Sequence, residues 1–205
     1  MEIDHLVPGA HIEERIKSST SLYTRAVGNL PRVKFHYHAA PSKTSQNCTV
    51  DLLPNQSDFV RTDVLSEYGD FYLDDDAYIL RDLEPFRRMG FENIFGQQDE
   101  GNICPAVIMA TKGNKMMKIY HDLQDIIFDG SWANHAVGVL TTLTHEFAPH
   151  PYQVLINPRD VFFPYSWKPK DIETVYKINS SESLVPIINN QPIENATDFI
   201  EHFML

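Results

Sequence analysis

The sequence predicts an α/β fold. Two observations lead there. Short apolar runs bounded by turn residues recur at Phe71-Tyr72-Leu73, at residues 107–110 and at Val154-Leu155-Ile156, each of strand length and too short for a helix. Between the last two, residues 114–128 and 132–147 place apolar side chains at helical spacing, so strands and helices alternate along the chain.

Taken in order, the first thirty residues are polar, with one short helix expected over 13–27. Val33-Lys34-Phe35-His36-Tyr37-His38 alternates apolar and polar, the period of a half-buried strand. A brief strand is expected over 49–53. Ser57 reads as a helix N-cap, with Asp58 in the first turn, where a carboxylate complements the helix dipole. Phe59, Val60, Val64, Leu65 and Tyr68 follow at helical spacing, and Gly69 is the stop. The helix over 114–128 should bury Met117, Tyr120, Leu123 and Ile127. The one over 132–147 should turn Val137, Leu140 and Leu143 inward. The last forty residues carry prolines and polar side chains and read as irregular. The organisation expected is a polar, helical segment over 1–30, a folded domain over 31–167, and a largely irregular segment over 168–205.

Composition narrows the function. Of 205 residues, 42% are hydrophobic and 22% charged, which fits a globular domain and not a disordered chain. Twenty-eight acidic against 17 basic residues give a formal net charge of -11. That balance argues against a nucleic-acid scaffold, which needs clustered Lys and Arg. Cys48 and Cys104 are too few for a disulfide framework. No apolar run reaches the length of a membrane span. The opening residues, with Glu2, Asp4, His5 and Pro8, do not read as a signal peptide. N-glycosylation triplets occur at Asn47, Asn55, Asn179 and Asn195.

The chemistry concentrates at Asp74-Asp75-Asp76, directly after the apolar run 71–73. Three adjacent carboxylates repel one another unless a cation or water relieves them. In an extended segment alternate residues share a face, so Asp74 and Asp76 are expected to point one way and Asp75 the other. Two carboxylates converging at a strand end suit a hard divalent cation, Mg²⁺ or Mn²⁺. An acidic turn facing solvent is the plain alternative for such a run.

The wider pattern is more specific. Ser57-Asp58, Arg61, Leu65, Gly69 and Tyr72-Leu73-Asp74-Asp75-Asp76 together resemble the sugar-binding region of DXD-motif glycosyltransferases, most closely those of family 32, fungal type. Looser similarity continues through Gly96-Gln97-Gln98, residues 106–110, Trp132 with His135, and Phe162-Phe163-Pro164 with Trp167. The resemblance implies a GT-A-like fold, related to the Rossmann fold, with a mixed sheet flanked by helices. It also implies metal-dependent, retaining transfer of a hexose from a UDP- or GDP-sugar to a glycan, lipid or protein acceptor. Asp58, Arg61 and Asp74 would then contact the donor, and Asp74 and Asp76 the Mn²⁺ or Mg²⁺ ion. Tyr72, His135 and Trp167 are further candidates, and no general base is required. The family's setting would be the Golgi or secretory pathway. Departures from the pattern are Asp70 for a second glycine, Pro105 for an asparagine and Ala136 for a serine, together with the lack of a first strand before Pro31. They favour the alternative of a catalytically degenerate domain that keeps the fold and binds carbohydrate or a partner.

Overall fold

The structure, a computed structural model, describes residues 36–74, 77, 79–98, 101–131, 133–165 and 168–171, with single residues at 14, 17, 18, 20, 25, 26, 28, 29 and 34 and the short pairs 187–188 and 191–192. Residues 1–40 and 41–205 are separate compact units. In the first, Glu14 and Lys17 are helical, as are Arg25, Ala26 and Gly28, with a turn at Ser18 between them. Lys34 and His36 to His38 join no strand, contrary to the alternation expected there; Val33 and Phe35 lie outside the described residues. Alternation in so short a run gives no pairing partner, and pairing is what makes a strand.

The second unit begins with one isolated bridge between Lys43 and Thr49, in place of the strand expected over 49–53. Helix α1, Leu53–Tyr68, follows at once. Its N-cap is Leu52 and a proline stands in its first turn, so the helix starts a full turn before Ser57. Ser57 is not the cap because its hydroxyl is engaged elsewhere: it lies 3.3 Å from the Tyr72 hydroxyl and accepts from Arg61 at 3.4 Å. Asp58 therefore sits within the helix, not in its first turn. Tyr68 is exposed, not core. The stop at Gly69 is as expected, with φ +71°. A Cβ there would lie 2.5 Å from the Lys112 backbone nitrogen.

Strand β1, Asp70–Leu73, is one of the two outer strands of a four-stranded sheet. After the short helix α2, Glu84–Arg87, come β2, Asn93–Gln97, and β3, Ile103–Ala110. Helix α3, Lys115–Ile127, is capped by the Asn114 side chain, which accepts from the Met117 amide. Strand β4, Val154–Asn157, precedes helix α5, Arg159–Phe162. Sheet order is β1-β3-β2-β4; β3 is antiparallel to both neighbours, and β2 and β4 are parallel. Gly96 and Gln97 lie inside β2. The mixed sheet flanked by helices is consistent with a GT-A-like fold. Among the described residues before β1 there is no further strand of the sheet. The hairpin of β5, Ile187–Ile188, and β6, Gln191–Pro192, pairs separately within the segment expected to be irregular.

The helix expected over 132–147 has two parts. Asn134–Gly138 is a turn of π-helix, and α4 proper is Val139–Phe147. Val139, Leu140 and Leu143 are buried, while Val137 is half-buried. In α3, Met117 and Tyr120 are buried and Leu123 packs against the core, but Ile127 is exposed because the helix ends there. The main core joins Leu65 of α1, Phe95 and Ile108 of the sheet, and side chains of α3 and α4. Tyr72 packs against this core. Its neighbour Phe71 meets Phe86 of α2, which in turn meets Phe162 of α5. Adjacent residues of a strand face opposite ways, so β1 presents Tyr72 to the α1/α3 side and Phe71 to the α2/α5 side.

Two departures from the family pattern have local reasons. Asp70 has φ +76°, the left-handed region that glycine prefers, and its carboxylate accepts from the next backbone amide, a contact that lets Asp tolerate the conformation. Pro105 falls where the β2–β3 register slips between Phe95 and Gly96, so the N–H it lacks is not asked of it there.

Candidate functional site

The inward stripe of α1 is polar. Asn55, Asp58, Arg61 and Thr62 are buried beside Phe59 and Leu65. Burying Arg and Asp is costly unless they are paired, and here they are. Arg61, 5% exposed, sends Nη2 to within 3.2 Å of both Asp58 Oδ1 and Asp74 Oδ1. Its guanidinium lies over the Tyr72 ring, 5.0 Å from the centroid, an attractive cation–π placement. The Tyr72 hydroxyl donates to Asp74 Oδ1 at 2.7 Å. Asp74 is held at the end of β1 by its own amide, which donates to the Ala106 carbonyl at 2.9 Å.

The electrostatics follow from this geometry. Burial works against the Arg61 charge, but Asp58, Tyr72 and Asp74 outweigh it and hold the guanidinium above its ordinary value. Burial pushes the Tyr72 phenol up, against the opposing pull of Arg61. Tyr120, which donates to the Ala136 carbonyl at 3.2 Å, is pushed far up by burial, with Asp58 adding and Arg61 opposing. Arg61 Nε is buried with no hydrogen-bond partner among the described residues. The same holds for Asn55 Oδ1 and for both ring nitrogens of His135.

His135, from the π-turn, completes the group. It is 0% exposed, and its Nε2 lies 3.1 Å from Asp58 Oδ2. Of the candidates drawn from the sequence, the structure therefore brings Asp58, Arg61, Tyr72, Asp74 and His135 together. Asp76 and Trp167 lie outside the described residues, as do Asp75 and Trp132. For a divalent cation, the donor type is right. Asp74 offers a hard carboxylate oxygen, and its Oδ2 makes no hydrogen bond or ion pair among the described residues, whereas Oδ1 is committed to Arg61 and Tyr72. Among those residues no three His, Cys, Asp or Glu side chains converge as a metal cage.

Sequence reasoning missed the supports. Gln124 of α3 is buried, donates to the Asp58 carbonyl at 3.4 Å and accepts from the Thr62 hydroxyl at 3.1 Å. The signal was there: Gln124 lies one turn after Tyr120 on the apolar face of its helix, where a polar residue is out of place. Of the glycosylation triplets, Asn47 is exposed, whereas Asn55 is 2% exposed and has no room for a glycan in the fold. Asn179 and Asn195 lie outside the described residues. Among the described residues, no helix is long and apolar enough to cross a membrane.

The family model described as "Glycosyltransferase sugar-binding region containing DXD motif" matches residues 12–99. That stretch holds Asp58, Arg61, Tyr72, Asp74 and Asp76, and stops short of His135 and Trp167. No curated protein and no solved structure matches the chain. Over residues 12–99, then, the chain is similar to the DXD-containing sugar-binding region of glycosyltransferases.

Proposed function

We propose that the protein is a metal-dependent, retaining glycosyltransferase that moves a hexose from a UDP- or GDP-sugar to a glycan, lipid or protein acceptor. The observation that supports it most is Arg61, buried between Asp58 and Asp74 with Nε unpartnered among the described residues. A sugar ring offers hydroxyls that both accept and donate. The Arg61 fork donates to two such acceptors at once, and the flanking carboxylates accept from their neighbours. Asp58 and Arg61 would hold the sugar, and Tyr72 would fix the Asp74 carboxylate beside it. Asp74 and Asp76 would hold Mn²⁺ or Mg²⁺, which when bound supplies Lewis-acid stabilisation of the departing diphosphate. No residue is assigned as a general base. The same reading places the chain in the secretory pathway, which imaging of a tagged chain in a eukaryotic cell tests.

A second reading keeps the fold without turnover. It is favoured by Asp74, whose Oδ1 is spent on Arg61 and Tyr72. Calorimetry with a panel of UDP- and GDP-hexoses, in Mn²⁺ and then in EDTA, separates the two. Binding that needs Mn²⁺ and is lost in Asp76→Ala supports the transferase. Sugar binding that ignores metal supports the second reading, and no binding by folded protein overturns the first for this chain.

A further inference from the structure

We propose that His135 is a positioning residue for Asp58: it grips Oδ2 of the carboxylate whose Oδ1 faces Arg61, and so fixes the orientation in which Asp58 meets the donor. The inference deepens the reading of Asp58 as a sugar ligand and rests on it. The ring is held by packing alone. It stacks on Phe59 at 5.9 Å and 16° and meets the edge of Phe128 at 4.8 Å and 84°. Among the described residues neither ring nitrogen makes a hydrogen bond.

An imidazole sealed in an apolar cage is costly to desolvate unless one nitrogen finds a partner. The one close polar approach among the described residues is the 3.1 Å contact from Nε2 to Asp58 Oδ2. The N–H direction misses alignment there, and the soft carboxylate torsion of Asp58 is the coordinate that closes it. The backbone is shaped to deliver this ring. The Gly138 amide donates to the Ala133 carbonyl at 3.1 Å, the wide turn of a π-helix, and Tyr120 pins the same turn through the Ala136 carbonyl. Phe59 adjoins Asp58 in α1, so the ring is seated on the very helix that carries its target.

Two substitutions separate the donor from the packing. His135→Phe keeps a ring between Phe59 and Phe128 but has no N–H. His135→Gln restores an N–H near the Nε2 position without the ring. In sugar-nucleotide titrations His135→Phe should weaken binding about tenfold, the scale of one hydrogen bond to a charged group. His135→Gln should recover most of that loss, and adding His135→Phe to Asp58→Asn should cost nothing more.

Independently of any sugar, long-range ¹⁵N spectra should show the His135 proton on Nε2, with a resonance that shifts in Asp58→Asn. The His135 signals are assigned by their loss in His135→Gln. Wild-type affinity in a folded His135→Phe, or an Nε2 resonance indifferent to Asp58→Asn, overturns the proposal. Where His135→Phe does not fold, His135→Gln and the ring spectrum decide. Wild-type protein that binds no sugar nucleotide overturns the glycosyltransferase reading, and the ring spectrum alone then judges the contact.

Discussion

Strand β1 carries the same device on both of its faces. On one, Arg61 lies over Tyr72 and pairs with Asp58 and Asp74; on the other, Arg87 lies 5.4 Å over Phe71 and pairs with Asp70 and Glu84. Each arginine comes from a helix, each covers an aromatic ring of the strand, and each bridges two carboxylates. The difference is water. The Arg61 side chain is 6% exposed and that of Arg87 is 43% exposed. Exposed ion pairs contribute little and are screened by salt, whereas a buried charge must be matched or it destabilises the fold. One arrangement thus staples a surface helix to a strand, and the other holds a set of paired charges inside the fold.

The comparison can be broken by removing one carboxylate on each side. Asp58→Ala leaves Arg61 with Asp74 as its one carboxylate among the described residues, takes from His135 its carboxylate contact, and should cost about 3–5 kcal/mol in urea unfolding. A loss near 1 kcal/mol would mean the buried network is far wetter than its geometry. The glycine joining α1 to the strand comes next. Gly69→Ala forces a side chain into a left-handed residue and onto the Lys112 backbone, and should cost about 2–3 kcal/mol. Asp70→Gly next to it should cost under about 1 kcal/mol, since glycine accepts the positive φ at no steric cost.

A pH effect sharpens the buried side. The Tyr120 phenol is raised by burial in the folded chain. Above the ordinary tyrosine value of about 10 the unfolded chain loses its proton and the folded chain keeps it, so stability is full below that pH and falls as pH rises. Tyr120→Phe should cost about 1 kcal/mol at neutral pH through the lost bond to Ala136, and should flatten the alkaline fall. An unchanged slope of stability against pH would show that Tyr120 is not its source. The smallest effect belongs to the exposed side. Arg87→Ala should cost about 0.2–1 kcal/mol, less at high salt, by the same urea assay.

Much of the fold was legible because several short signals agree with one another. Apolar residues at helical spacing marked α3, and the apolar runs marked β1, β3 and β4. The failures have a shared cause. Where side chains serve a site, they stop signalling secondary structure. Ser57 looks like a cap because of its type, yet its hydroxyl is taken by Tyr72 and Arg61. The buried stripe of α1 is polar, so apolar periodicity placed Tyr68 inside and gave no sign that Asn55 and Thr62 are buried. The π-turn at Asn134–Gly138 left no trace in a pattern of apolar spacing, because one extra residue in a turn shifts the phase only locally. Strand β2, with Gly96 and Asn93 in it, was masked by its composition, although Gly96 is where Phe162 and Phe163 close over the sheet. The grouping of Asp58, Arg61 and Asp74 came from the resemblance, and the fold brings both carboxylates to 3.2 Å from Arg61.

The most direct test sets the two arginines side by side. Arg61→Lys and Arg87→Lys each keep the charge and lose the fork, and both are titrated with the same UDP- and GDP-hexose panel in Mn²⁺. The account predicts that Arg61→Lys loses at least about tenfold in affinity, because a lysine cannot make the paired bonds of the guanidinium, while Arg87→Lys binds as the wild type does. Equal affinities in the two variants would contradict it, and would mean that the buried cluster on α1 is there for the fold and not for a sugar.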